Sequence, residues 1–143
     1  MANISSINQR VADAYARCTR ETFTIVNVCC GTGRQLCDLI PLLKPRLCGI
    51  RFIAIDPQAD ALKECERAVA ETALKCWRCV DFVPVHGAAG NLQTRTEVGD
   101  ALQECDGDVI VITTTQCSDS NPVDASRSLR CFTDCHARVC LCP

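Results

Sequence analysis

The residues best placed to do chemistry are Gly31, Thr32 and Gly33, together with Asp56 about 20 residues further on. A run of apolar residues, Thr24-Ile25-Val26-Asn27-Val28, leads into Cys29-Cys30 and the glycine turn. A second apolar run, Ile50 to Ile55, ends in the carboxylate. Glycines let a backbone approach a ligand closely, and the start of a helix behind them offers unpaired N–H groups. A carboxylate at the end of the next strand can accept hydrogen bonds from ribose hydroxyls. The arrangement suits a nucleotide-type ligand.

The second chemical resource is thiol. The chain of 143 residues carries 14 cysteines and two histidines, His86 and His136. Cys76-Trp77-Arg78-Cys79 has the spacing of a zinc knuckle, in which two thiolates share one tetrahedral ion. Cys131, Cys135, His136, Cys140 and Cys142 lie near the end, and two to four of them could complete a metal site with that pair, or form one alone. The contrary reading is that so many cysteines generate close pairs by composition. A cysteine nucleophile would need a base beside it, and no spacing singles out a Cys–His pair. Trp77, between two cysteines, reads as a packing anchor. Arg127, Arg130 and Arg138 could touch phosphates, but Asp119, Asp124 and Asp134 among them suggest a mixed, solvated surface.

Bulk composition narrows the classes. Hydrophobic residues make up 48% and charged residues 22%, as in an ordinary folded domain, and the length suits one domain, residues 1–143. A net charge of −2 gives no overall field for nucleic acid or an anionic membrane. Charged residues interrupt every apolar run before it could span a bilayer. The first ten residues lack a signal peptide's basic-then-apolar order, so an intracellular location, cytoplasmic or nuclear, is expected. In a reducing compartment most of the cysteines should be thiols.

These groups need elements to hold them. Ile4, Ile7, Val11, Tyr15 and Cys18 recur at helical spacing, and Asn3 is a candidate cap. Strands are expected over about 23–29, 50–55, 80–85 and 109–113. Helical stripes fall between them: Leu36 to Leu43, interrupted by Pro41; about 58–75, with Glu71 and Lys75 as an ion pair; and Val98 to Cys105. Pro84 inside the third strand argues for a sheet edge, because proline lacks the N–H that a central strand donates. Near-continuous apolar strands alternating with helices predict an α/β fold, a mostly parallel sheet with helices on both faces. Ser120-Asn121-Pro122 reads as a helix start and 137–142 as a short last strand.

At this level the sequence resembles the class I S-adenosylmethionine-dependent methyltransferases, a Rossmann-like family. Ile25 to Arg34 resembles the family's first motif, Ile53 to Asp56 its second, Val83 to Ala89 its third-strand segment and Asp108 to Ile112 its fourth-strand motif. The resemblance covers residues 23–116. It implies S-adenosylmethionine as cofactor, with Asn27, Cys29, Gly31 and Gly33 at the methionine end, Asp56 at the ribose and His86, Gly87 and Ala88 at the adenine. Asn27 stands where the family usually has an acid, and Cys29 where it usually has glycine. The family's sheet normally continues through more strands, so this one is expected to be incomplete at its C-terminus.

Three functions follow as expectations. The first is a small methyltransferase-like domain that transfers a methyl group to an acceptor the sequence does not identify. The second is a non-catalytic scaffold or interaction protein of the same fold, such as a viral accessory protein or suppressor. Its open sheet edge would be covered by a second copy or a protein partner. The third is a zinc-stabilised, cysteine-rich binding module.

Overall fold

The computed structural model describes residues 4–103, 108–113 and 139–142. Among the described residues the elements run in the order α1 (Ile4–Arg17), β1 (Thr22–Val28), α2 (Arg34–Leu39), a 3-10 turn (Ile40–Leu42), β2 (Gly49–Asp56), α3 (Ala59–Lys75), β3 (Val80–His86), α4 (Leu92–Gln103), β4 (Asp108–Thr113) and β5 (Val139–Cys142). The strands form one sheet in the order β3-β2-β1-β4-β5. Every neighbouring pair is parallel. Parallel neighbours require crossover connections, and from β1 through β4 the helices α2, α3 and α4 supply them.

The central strands are buried on both faces, which is why their sequences are apolar without alternation. One face carries Phe23, Ile25, Phe52, Ala54, Ile110 and Ile112. These pack against Val11 and Tyr15 of α1, Leu36 and Leu39 of α2, and Leu62, Cys65 and Val69 of α3. The other face carries Val26, Val28, Ile53, Ile55, Val109 and Val111, packed against Val98 and Leu102 of α4. Tyr15 closes the amino end of the first layer: its ring meets Phe23 edge-on at 5.4 Å and its hydroxyl donates to the Cys48 carbonyl at 3.1 Å.

Pro84 lies on β3, an edge strand, where its missing N–H costs nothing. Pro41 falls in the 3-10 turn and ends α2 after six residues. The strand expected near the end is present as β5, added parallel to β4.

Several expectations are corrected. Trp77 does not anchor packing; it is 95% exposed. Glu71 pairs with Arg67, one turn back, rather than with Lys75. The helix expected from Val98 begins at Leu92, where the Asn91 side chain accepts the Gln93 N–H at 2.8 Å and so caps it. Cys18, Cys30, Cys37, Cys48, Cys65, Cys76 and Cys79 are thiols, as expected, whereas Cys29 is disulfide-bonded. The Asn3 cap, Cys105, the helix start at Ser120 and the arginines Arg127, Arg130 and Arg138 lie outside the described residues. No helix among the described residues is long and apolar enough to cross a membrane.

Candidate functional site

In a parallel sheet every strand delivers its carboxyl end to the same side. Here β1, β2 and β3 bring Asn27 to Gly33, Asp56, and His86 to Ala88 to one rim. The rim is organised by Asp56, which is buried. One carboxylate oxygen accepts the Gly31 N–H at 2.9 Å, and the other accepts the Gln58 N–H at 2.8 Å, at the start of α3. Its backbone carbonyl accepts the Gly87 N–H at 3.0 Å. The loops after all three strands are thus joined at one residue. An acid at a helix start is also favoured by the helix dipole.

The glycine loop is a tight, left-handed path. Cys29, Gly31 and Gly33 have φ of 58°, 57° and 89°. The Cys30 N–H extends β1 by donating to the Ile55 carbonyl at 3.0 Å, and the Gly33 N–H turns back to the Cys30 carbonyl at 3.1 Å. Gly33 is required twice over. Its backbone is left-handed, and a Cβ there would stand 2.9 Å from Cys65 Sγ and 3.1 Å from Cys65 Cα on α3. Gly31 faces open space, with nothing within 4 Å of where a Cβ would be. Cys29 occupies a backbone conformation that suits the glycine usual in the resembled family.

Asn27 sits between Ala54 of β2 and Ile112 of β4 in the register. It is 1% exposed, and among the described residues neither its Nδ2 nor its Oδ1 has a hydrogen-bond partner. Leaving a buried amide unsatisfied costs about 1–3 kcal/mol per group, so this pair of atoms is the clearest sign of a polar ligand group at the end of β1. Nearby, Cys30 and Cys65 form a buried thiol pair. The hydrogen bond to Cys65, burial and the Asp56 carboxylate together push the Cys30 thiol up, holding it protonated. A protonated, buried thiol is a poor nucleophile.

On the far side of the rim, a cavity of about 370 Å³ is lined by His86, Gly87, Asn91, Gln93, Thr94 and Glu97. His86 Nε2 lies 3.0 Å from the Pro57 carbonyl, which ties β3 to the start of α3. Of this lining, the sequence alone points to His86 and Gly87. The overlooked signal was Asn91, a cap residue one position before Leu92.

Of the proposed metal ligands, the two whose side chains are described are not on this rim. Cys76 and Cys79 lie at the opposite end of the sheet, between α3 and β3. Cys131, Cys135 and His136 fall outside the described residues, and Cys140 is placed only by its backbone in β5. Among the described residues, no three His, Cys, Asp or Glu side chains come close enough to hold a metal ion.

No family model and no curated protein matches the sequence. The fold does match a solved structure, a crystal structure of the small RNA methyltransferase HEN1. The TM-score is 0.62 and the identity 15%, over 96% of this chain and 16% of that one. This chain therefore spans about one-sixth of that protein's length. What the two share is the fold, a parallel α/β sheet with helices on both faces.

Proposed function

We propose that this domain binds S-adenosylmethionine at the carboxyl rim of its sheet and supports methyl transfer there. The observation that carries the reading is the unpartnered, buried Asn27 amide at the head of a left-handed glycine loop that Asp56 pins in place. The residues present fit the cofactor. Asn27 offers both a donor and an acceptor to the methionine end, and Gly31 leaves room for close backbone approach. Each Asp56 carboxylate oxygen accepts one N–H and keeps a further lone pair for ribose hydroxyls. The His86–Ala88 segment stands where the adenine is expected. When bound, the cofactor supplies an electrophilic methyl group on sulfur. The domain's share of catalysis is positioning and exclusion of water.

One observation favours the scaffold reading. Cys29 puts a disulfide-bonded side chain where close approach of a ligand favours glycine. Titration calorimetry of the full chain with S-adenosylmethionine and S-adenosylhomocysteine separates the two. Saturable binding of either ligand is the expected result. Absence of binding to both, in protein that melts cooperatively, would overturn the cofactor reading and leave an interaction scaffold.

A further inference from the structure

The amino end of the sheet is built differently from the rim. The connections leading into β1, β2 and β3, residues 18–21, 43–48 and 76–79, all emerge there. Two of them, with the end of α1, converge on Tyr15. Arg46 lies over its ring, 5.6 Å from the centroid, and donates to the Tyr15 carbonyl and, at 2.7 Å, to that of Cys18. The Arg78 guanidinium lies near Tyr15 and partly counters the rise that burial imposes on its hydroxyl pKa. With Arg17, Arg20, Lys44 and Lys75, six cations stand at this end among the described residues, against three acids, Glu21, Asp81 and Asp108 at the start of β4, although the whole chain is net negative. Helix dipoles explain part of this, because α1 and α3 both end here and cations favour helix C-termini.

They do not explain Trp77. It terminates α3 in the left-handed region, φ 55°, with its N–H on the Leu74 carbonyl at 3.2 Å and the Arg78 N–H on the Ala73 carbonyl at 2.8 Å. That position favours glycine, and a bulky side chain there costs stability. The ring gains no burial in return, since it is 95% exposed. The protein therefore holds its one tryptophan in water, beside Lys75 and Arg78, at an energetic loss.

We propose that this end of the sheet binds single-stranded nucleic acid, with Trp77 as a stacking platform and Lys75, Arg78 and Lys44 as phosphate contacts. An isolated aromatic face among cations is what base stacking and backbone neutralisation require. Leu47 and Leu74 stand out singly beside it, 106% and 79% exposed. Such a surface suits a flexible strand laid across it better than a peptide, which needs a groove. The surface is separate from the cofactor rim, on the order of 23 Å away along strands of seven residues at 3.3 Å each.

The single tryptophan supplies the assay. The full chain is titrated with a twelve-nucleotide oligouridylate and, separately, with polyglutamate, while Trp77 fluorescence is followed. Quenching by the oligonucleotide, weakening as salt rises from 50 to 200 mM, is the expected result. A labelled oligonucleotide then reports binding to variants. Trp77→Gly should raise the melting temperature, because the backbone strain is relieved, and weaken binding at least tenfold. Trp77→Phe should retain most of the affinity. The proposal is overturned by no quenching at 50 mM salt, by equal quenching with polyglutamate, which would indicate an acidic peptide, or by a stabilised Trp77→Gly that binds like the parent.

Discussion

Replacing Asp56 should damage the fold and the ligand site by separable amounts. The carboxylate accepts two backbone N–H bonds, at 2.9 Å from Gly31 and 2.8 Å from Gln58, in a buried setting. Hydrogen bonds to a charged group contribute about 1.5–3 kcal/mol each, so Asp56→Ala should cost about 3–6 kcal/mol. That is a large fraction of the ~5–15 kcal/mol stability of an ordinary domain. An alanine variant that fails to bind is therefore uninformative by itself. Asp56→Asn is the sharper probe: it keeps one acceptor oxygen and the side-chain shape but loses the charge, at a cost of about half as much. Urea unfolding of both variants measures the structural part. Calorimetry with S-adenosylhomocysteine on the folded Asn variant measures the ligand part, expected to be at least a tenfold loss, or about 1.4 kcal/mol. If Asp56→Ala unfolds at the parent's urea midpoint, the joining role assigned to this carboxylate is wrong.

Three further outcomes follow from the same geometry. Asn27→Leu should stabilise the ligand-free protein by about 1–2 kcal/mol, by removing an unsatisfied buried amide, and should abolish S-adenosylhomocysteine binding; destabilisation in urea would show that the amide has an internal partner. Gly33→Ala should cost about 2–4 kcal/mol, combining left-handed strain with a clash on Cys65, so an unchanged melting temperature would contradict the packing of the loop against α3. Stability should also decline in alkali. The hydrogen bond with Cys65 and then burial raise the Cys30 pKa above its ordinary 9.0, and burial raises that of Tyr15 above its ordinary 10.0, so the folded state holds these protons more tightly than the unfolded chain. Their contribution is complete below about pH 9 and is lost as pH rises through the folded-state values. Cys65 shifts the opposite way through its hydrogen bond with Cys30 and offsets part of the thiol contribution. A urea midpoint that stays level or rises between pH 8 and pH 10.5 would refute the argument.

What the sequence disclosed and what it hid divide along physical lines. Burial on both faces wrote β1, β2 and β4 into the chain as continuous apolar runs, and a missing N–H wrote the edge position of β3 as Pro84. The rim was legible as positions, because spacing fixes where a strand ends. Spacing does not say which amide a carboxylate meets, so the Asp56 bonds to Gly31 and Gln58 were hidden. The start of α4 was missed because its first apolar residue, Leu92, is 75% exposed and does not belong to the stripe that faces the sheet. Trp77 was misread for a related reason. Residue type carries a burial preference but no direction, and the turn that ends α3 points this ring outward.

The two departures in the glycine loop separate shape from chemistry. Cys29 keeps the left-handed backbone, φ 58°, that a glycine would adopt freely. Such a conformation costs a residue with a Cβ about 1–2 kcal/mol; it persists because the Cys30 N–H bond to Ile55 and the Asp56 bond to Gly31 hold both sides of the turn. Asn27 places a neutral polar side chain at the end of β1, where the resembled family usually has an acid. A neutral amide can still hydrogen-bond an ammonium or a carboxylate, whereas an acid would attract the first and repel the second. If the loop holds the proposed ligand, it would do so with a weaker preference for a cation than an acid at position 27 would give. Asn27→Asp would restore that charge at a site 1% exposed. In the ligand-free protein it should be destabilising, because a buried carboxylate without a partner is costly. With S-adenosylhomocysteine present, the ligand's ammonium would supply the missing partner. The urea midpoint of the variant should thus rise with ligand by more than the parent's does. An equal rise in both would place the ligand's amino group away from β1.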